Sequence, residues 1–186
     1  MFKYKIILEY EGTNFVGWQR QENGSSIQEE LENAILKLTS ENVTVYGAGC
    51  TDAGVHAFGQ VAHFEISKKL KIDTIRDGIN QHLRPKPIAI LKVEKPHKDF
   101  HARFSAKLRC YEYRIINRRS PLTIDNNRAW CIHKKLDFNK ILYNASLFKG
   151  KHDLSAFRSI NCQSKTTVKS INSCEIVKKK NHLIIN

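Results

Sequence analysis

One stretch gathers residues that could do chemistry: GAGCTDAGVHAFGQVAHF, from Gly47 to Phe64. Asp52 is its only acid, and Glu65 is the next. Gly47, Ala48 and Gly49 precede it, and Ala53 and Gly54 follow. A lone carboxylate among small residues can be a turn residue that bonds its own backbone. It can also be a placed reagent. An aspartate near its reference pKa of about 3.9 is ionised at neutral pH. A carboxylate can attack a carbon and later leave it. Glycines let such a loop pass close to a ligand. His56 and His63 follow, and structural hydrogen bonding is the simpler role for both. A metal held by Asp52, His56 and His63 has little support, because nothing nearby supplies further ligands.

The flanking elements must position this loop. Lys3 to Tyr10 alternates with period two and reads as a strand. A loop with GTNFVGWQRQ follows, and Trp18 in it reads as a core or interface residue. Ser26 then reads as a helix N-cap with Glu29 at the capping-box position. Ile27, Leu31, Ala34, Ile35 and Leu38 give the helix over 27–38 one apolar face. Val43 to Tyr46 predicts a short strand, and Gln60 to Ile66 another. Asp73 is placed to cap a second helix through Ile75, Ile79 and Leu83, ended by RPKP. Ile88 to Glu94 is strand-like. Further on, Tyr111, Tyr113 and Ile115 are expected on one strand face, with another short strand over 128–132. Asp137 is expected to cap a helix using Phe138, Ile141, Leu142, Ala145 and Phe148. Thr166 to Val177 reads as a strand, and Lys178 to Lys180 as a solvated basic turn. The apolar NHLIIN is expected to be an edge strand or the cut face of a longer fold. This order points to an α+β fold on an antiparallel or mixed sheet.

The chain has 186 residues, 41% hydrophobic and 26% charged, ordinary for a globular protein with a real core. Lysine and arginine number 31 against 18 acids, a formal net charge of +13. That excess favours a polyanionic partner, nucleic acid before an anionic membrane. No apolar run is long enough to span a bilayer, and the start is too polar for a secretory leader. A cytoplasmic location is expected. Cys50, Cys110, Cys131, Cys162 and Cys174 make an odd count without metal-knuckle spacing, so reduced thiols are expected. No P-loop, GxGxxG or HExxH motif occurs, which argues against a nucleotide or zinc cofactor.

Four ordered blocks resemble the bacterial tRNA pseudouridine synthase A family: EYEGTNFVGWQRQ, GAGCTDAGVHAFGQVAHF, DFHARFSAKLRCYEYRI and SAFRSINCQSKTTVKSI. The resemblance runs from Tyr4 onward, and TDAGVHA after a Gly-Ala-Gly turn is its most specific part. It implies isomerisation of uridine to pseudouridine at positions 38–40 of the tRNA anticodon stem–loop, without cofactor or metal, by a homodimer. It implies two ferredoxin-like α/β halves flanking a basic cleft. Here these would be residues 1–105, with the aspartate loop, and 106–186, incomplete. Asp52 matches the family's catalytic aspartate and Tyr111 its active-site tyrosine, which packs on the target base. Arg20, Arg103, Arg109 and Arg158 are candidates for phosphate or active-site contacts. For Arg103 a buried salt bridge is the competing role.

Two departures from the family pattern carry consequences. The family has arginine where this chain has Cys50, and a thiol offers neither the charge nor the five-donor fork. Weakened catalysis is expected, with Arg109 or Arg103 as the compensating cation. The family also continues past the strand matching HLIIN into a further segment and helix that close the site. A chain lacking them is expected to expose apolar sheet surface, with poor solubility or a changed dimer. The alternative to an enzyme is an inactive RNA-binding protein or fragment of the same fold. A third class, an Asp/His-dependent hydrolase or nuclease acting on RNA, would need a metal or a second acid near Asp52, and the surrounding sequence offers neither.

Overall fold

The structure, a computed structural model, describes residues 1–157 and 166–186. It divides into two compact units, Met1–Leu108 and Arg109–Asn186.

The first unit is a four-stranded antiparallel sheet with two helices. Its elements are β1 (Phe2–Tyr10), α1 (Ile27–Thr39), β2 (Tyr46–Gly47), β3 (Ala57–Ile66), α2 (Ile72–Leu83) and β4 (Ile88–Glu94). The strand order is β2-β3-β1-β4. The period-two pattern explains the core. Tyr4, Ile6, Leu8 and Tyr10 of β1 are buried, as are Ala62, Phe64 and Ile66 of β3. The helices meet them with Ile27, Leu31, Ala34 and Ile35 from α1 and Ile75, Ile79 and Leu83 from α2. Burying each large apolar side chain stabilises the unit by about 1.5–3 kcal/mol, before the entropy of ordering it.

Ser26 caps α1 as its sequence predicts, its side chain accepting the Glu29 N–H at 3.2 Å. The expected cap on α2 is not found. Lys71 occupies the N-cap without a side-chain bond, and Asp73 lies inside the first turn, paired with Arg76 at 3.1 Å. There its charge still suits the positive helix end. The strand expected from Val43 shrinks to Tyr46–Gly47. The reason lies in α1: Glu32 accepts the Val45 N–H at 3.0 Å, and Gln28 donates to the Val45 carbonyl at 3.1 Å. Those backbone groups are satisfied without a ladder. β3 starts at Ala57, earlier than Gln60.

The second unit holds β5 (Tyr113–Asn117), β6 (Trp130–Ile132), α3 (Phe138–Ser146), β7 (Gly150–Asp153), a 3-10 turn at Ser155–Phe157, β8 (Val168–Ile171), β9 (Ile176–Lys179) and β10 (His182–Ile185). One sheet has the order β6-β5-β10-β9 with β5 and β6 parallel, and β7 pairs with β8. Asp137 caps α3, accepting the Asn139 and Lys140 N–H groups at 3.1 and 3.2 Å. The strand expected over 166–177 is two strands, β8 and β9. Lys178 and Lys179 belong to β9, and Lys180 turns with a φ of 55°. HLII is not an edge strand. It lies between β5 and β9, paired antiparallel with both. Tyr111 falls outside the strand that was expected to hold it. The β5–β10 ladder runs from Ile116↔His182 to Tyr113↔Ile185, and Tyr111 precedes it. Among the described residues, no helix is long and apolar enough to cross a membrane.

Candidate active site

The Asp52 loop connects β2 to β3 and lies against the loop after β1. Its start is tied to the sheet: Ala48 N–H donates to the Val61 carbonyl at 2.8 Å, and Gln60 donates to the Gly49 carbonyl at 2.6 Å. Around the aspartate, Trp18 N–H donates to the Thr51 carbonyl at 2.9 Å. The Tyr10 and Thr51 hydroxyls are 2.8 Å apart. On the far side, Gly54 N–H donates to the Phe15 carbonyl at 3.3 Å, and Val55 N–H to the Asp52 carbonyl at 3.2 Å. His56 accepts the Gly12 N–H at 3.0 Å. The backbone of Asp52 is thus held from both sides by groups whose own positions come from the core.

Two glycines make this approach possible. Gly17 has a φ of +115°, and a Cβ there would stand 2.6 Å from the Thr51 carbonyl oxygen. Gly54 turns the chain with a φ of +77°.

The carboxylate is exposed. Among the described residues it has no hydrogen-bond or ion-pair partner. The turn-residue alternative requires a side-chain oxygen to accept a nearby backbone N–H, and the Gly54 amide is already given to Phe15. Asp52 is therefore presented to solvent on a fixed backbone.

Cys50 lies near it. Burial pushes its thiol up, the positive charge of Arg103 draws it back down, and the negative charge of Asp52 adds to the rise. Arg103 thus stands within the electrostatic reach of this loop. Its guanidinium lies 6.0 Å from the Phe104 ring centroid. The segment that carries it is fixed by Ala102 N–H donating to His63 Nδ1 at 3.2 Å. Arg20 differs. It pairs with Glu32 at 2.5 Å, on the side of α1. Trp18 is 3% exposed and serves the core. His56 and His63 both hydrogen-bond backbone groups. Among the described residues, no cluster of three or more His, Cys, Asp or Glu could hold a metal ion.

A profile of the family described as tRNA pseudouridine synthase matches residues 6–105. The chain is 56% identical to a protein named tRNA pseudouridine synthase A from Ehrlichia chaffeensis, over 94% of this chain and 72% of that protein. It is 47% identical to proteins of the same name from Parvibaculum lavamentivorans, over 95% and 72%, and from Wolbachia pipientis, over 98% and 75%. The chain belongs to the tRNA pseudouridine synthase family.

This is a family of isomerases, and the chain is shorter than these three members. Of the residues singled out from sequence, Asp52, Cys50 and Arg103 share one neighbourhood in the first unit. Arg109 and Tyr111 belong to the second unit. Tyr111 is 65% exposed. Arg158 and Cys162 lie outside the described residues. Sequence reasoning missed Tyr10, Thr51 and Gln60, which hold the loop. The signal for Tyr10 is its place as the last inward residue of β1, beside the loop that must meet Asp52.

Proposed function

We propose that the chain isomerises uridine to pseudouridine in the anticodon stem–loop of tRNA, at positions 38–40, with Asp52 as nucleophile. The observation that carries the reading is an exposed carboxylate, without a partner among the described residues, on a loop clamped from both sides. The carboxylate attacks either the base or the ribose C1′. The N1–C1′ bond breaks, the base turns, and a C5–C1′ bond forms. C5 loses its proton and N1 gains one, so no oxidant, metal or cofactor is consumed. Asp52 leaves unchanged.

The target base must first leave its stack, at a cost of about a few kcal/mol. Phosphate contacts from Arg20, Arg103, Arg109 and Arg158 offset this cost, and Tyr111 offers a face to the base. The net charge of +13 supports a polyanionic substrate. The β–α–β–β–α–β order of the first unit supports the ferredoxin-like reading of that half. The division at 105/106, a homodimer, a basic cleft and a cytoplasmic setting complete the proposal.

One observation favours a second reading. Cys50 occupies the place where the family pattern has arginine, and its thiol is driven toward the neutral form. In that reading the chain binds the stem–loop without turning it over. Pseudouridine formation by the wild type and Cys50→Arg separates the two. Turnover by the wild type supports the enzyme with a tolerated thiol. Turnover only in Cys50→Arg shows that the missing charge disabled it. Salt-dependent binding without turnover in either leaves the binding protein.

A further inference from the structure

His63 is a buried polar group that the proposed reaction does not use. It is 4% exposed and pairs in register with Lys5 of β1 and Tyr46 of β2. Its Nδ1 accepts the Ala102 N–H at 3.2 Å. Its ring also stacks on the Tyr46 ring, with centroids 5.1 Å apart and planes 23° apart. Tyr46 opens the segment that leads to Cys50 and Asp52. Ala102 immediately precedes Arg103. One imidazole therefore joins the two segments that carry the carboxylate and the arginine.

The neighbours reinforce the joint. His101 lies 4.7 Å from His63 and 5.4 Å from Tyr46 between ring centroids, and it accepts the Arg103 N–H at 3.3 Å. Lys3 of β1 donates to the Lys98 and Phe100 carbonyls at 2.8 and 2.9 Å. The Phe100 ring meets His63 edge-on at 5.8 Å. The turn before Arg103 is thereby fixed in direction as well as place.

We infer that His63 is a positioning residue whose neutral ring sets Arg103 beside the Cys50–Asp52 loop, so that this arginine faces the substrate there. The inference rests on that loop being the active site. A protonated imidazole has no acceptor at Nδ1, so the joint exists only in the neutral form. Burial drives the ring toward that form, and the charges of His101 and Lys3 act the same way. The negative charge of Glu65 on the same strand and the polar Tyr46 backbone oppose them. The joint therefore holds through neutral pH and releases in acid.

Cys50 reports on this without RNA or turnover, because Arg103 lowers its thiol pKa. The measurement is the pH dependence of iodoacetamide alkylation at Cys50, read peptide by peptide by mass spectrometry on the full chain. Arg103→Gln is expected to move the alkylation profile to higher pH. His63→Phe keeps an aromatic ring against Tyr46 but loses the acceptor, and is expected to move it equally. The double variant is expected to go no further. His63→Asn keeps an acceptor oxygen near the place of Nδ1 and is expected to match the wild type. An unmoved profile in Arg103→Gln or His63→Phe, shifts that add in the double variant, or a His63→Asn that matches His63→Phe would each overturn the inference. Should His63→Phe not fold, hydrogen exchange at the Ala102 amide decides. Its protection is expected to fall with acid in the wild type and to persist in His63→Asn; equal behaviour of the two overturns the inference. An inactive enzyme would leave these results standing, and their failure would leave the proposed reaction standing.

Discussion

The two units are held together differently. In the first, twenty buried side chains between Tyr4 and Val93 form one continuous core. In the second, the buried apolar residues among those described are Ile116, Ala145 and Leu183. Trp130 and Tyr143 are both 68% exposed there. The second unit relies more on ladder hydrogen bonds and on the Asp137 cap, and net gains of that kind are about 1 kcal/mol each. The lesson concerns the site. Asp52 has few contacts of its own, and it is fixed because its loop is bonded to the better-packed unit.

The largest expected effect tests that contrast directly. Ile6→Ala and Ile79→Ala should each cost about 2–5 kcal/mol in urea unfolding, because both side chains are fully buried. Leu142→Ala on α3, where the leucine is 41% exposed, should cost less than about 1 kcal/mol. Equal costs would break the comparison. Gly17→Ala should come next, at about 1–3 kcal/mol, from a positive φ and a close approach to Thr51. It should also lower turnover, since the displaced group adjoins Asp52. Unchanged stability and turnover would mean that the loop is not clamped there. Ser26→Ala should cost about 1 kcal/mol by removing the bond to Glu29 N–H, measured in the same way.

The smallest effect is with pH, and it follows from His63. Its folded pKa lies below the ordinary value, so the unfolded chain binds more protons in the window just beneath the usual histidine range. The stability it contributes is complete above about pH 6.5 and is lost as pH falls through the depressed folded value. Urea unfolding at stepped pH should show this slope in the wild type and a flatter one in His63→Asn. Identical slopes would remove His63 from the account.

Much of the first unit was legible because its signals were strong and local. The alternation in β1, the apolar face of α1 and the Ser26 cap each need only a short window of sequence. The Asp73 cap was misplaced by two residues within one turn, where Asp73 pairs locally with Arg76, whereas the strand at Val43 was misplaced for a long-range reason. Glu32 and Gln28 take up the Val45 backbone from a helix many residues away. In the second unit, the pairing of HLII between β5 and β9 was not legible, because register with distant strands leaves no local mark. At the site, Asp52 stood out through its flanking pattern. The link from Tyr46 through His63 to Ala102 did not, since it exists only once β2, β3 and the later turn are brought together.

The measurement that tests the central claim most directly is single-turnover pseudouridine formation in an anticodon stem–loop RNA, with Asp52→Asn beside a turning-over parent. The parent is the wild type, or Cys50→Arg should the thiol prove disabling. Asparagine keeps the shape and removes the nucleophilic charge. The account predicts RNA binding within a few-fold of the parent and no pseudouridine. Pseudouridine formed by Asp52→Asn at the parent's rate would contradict it.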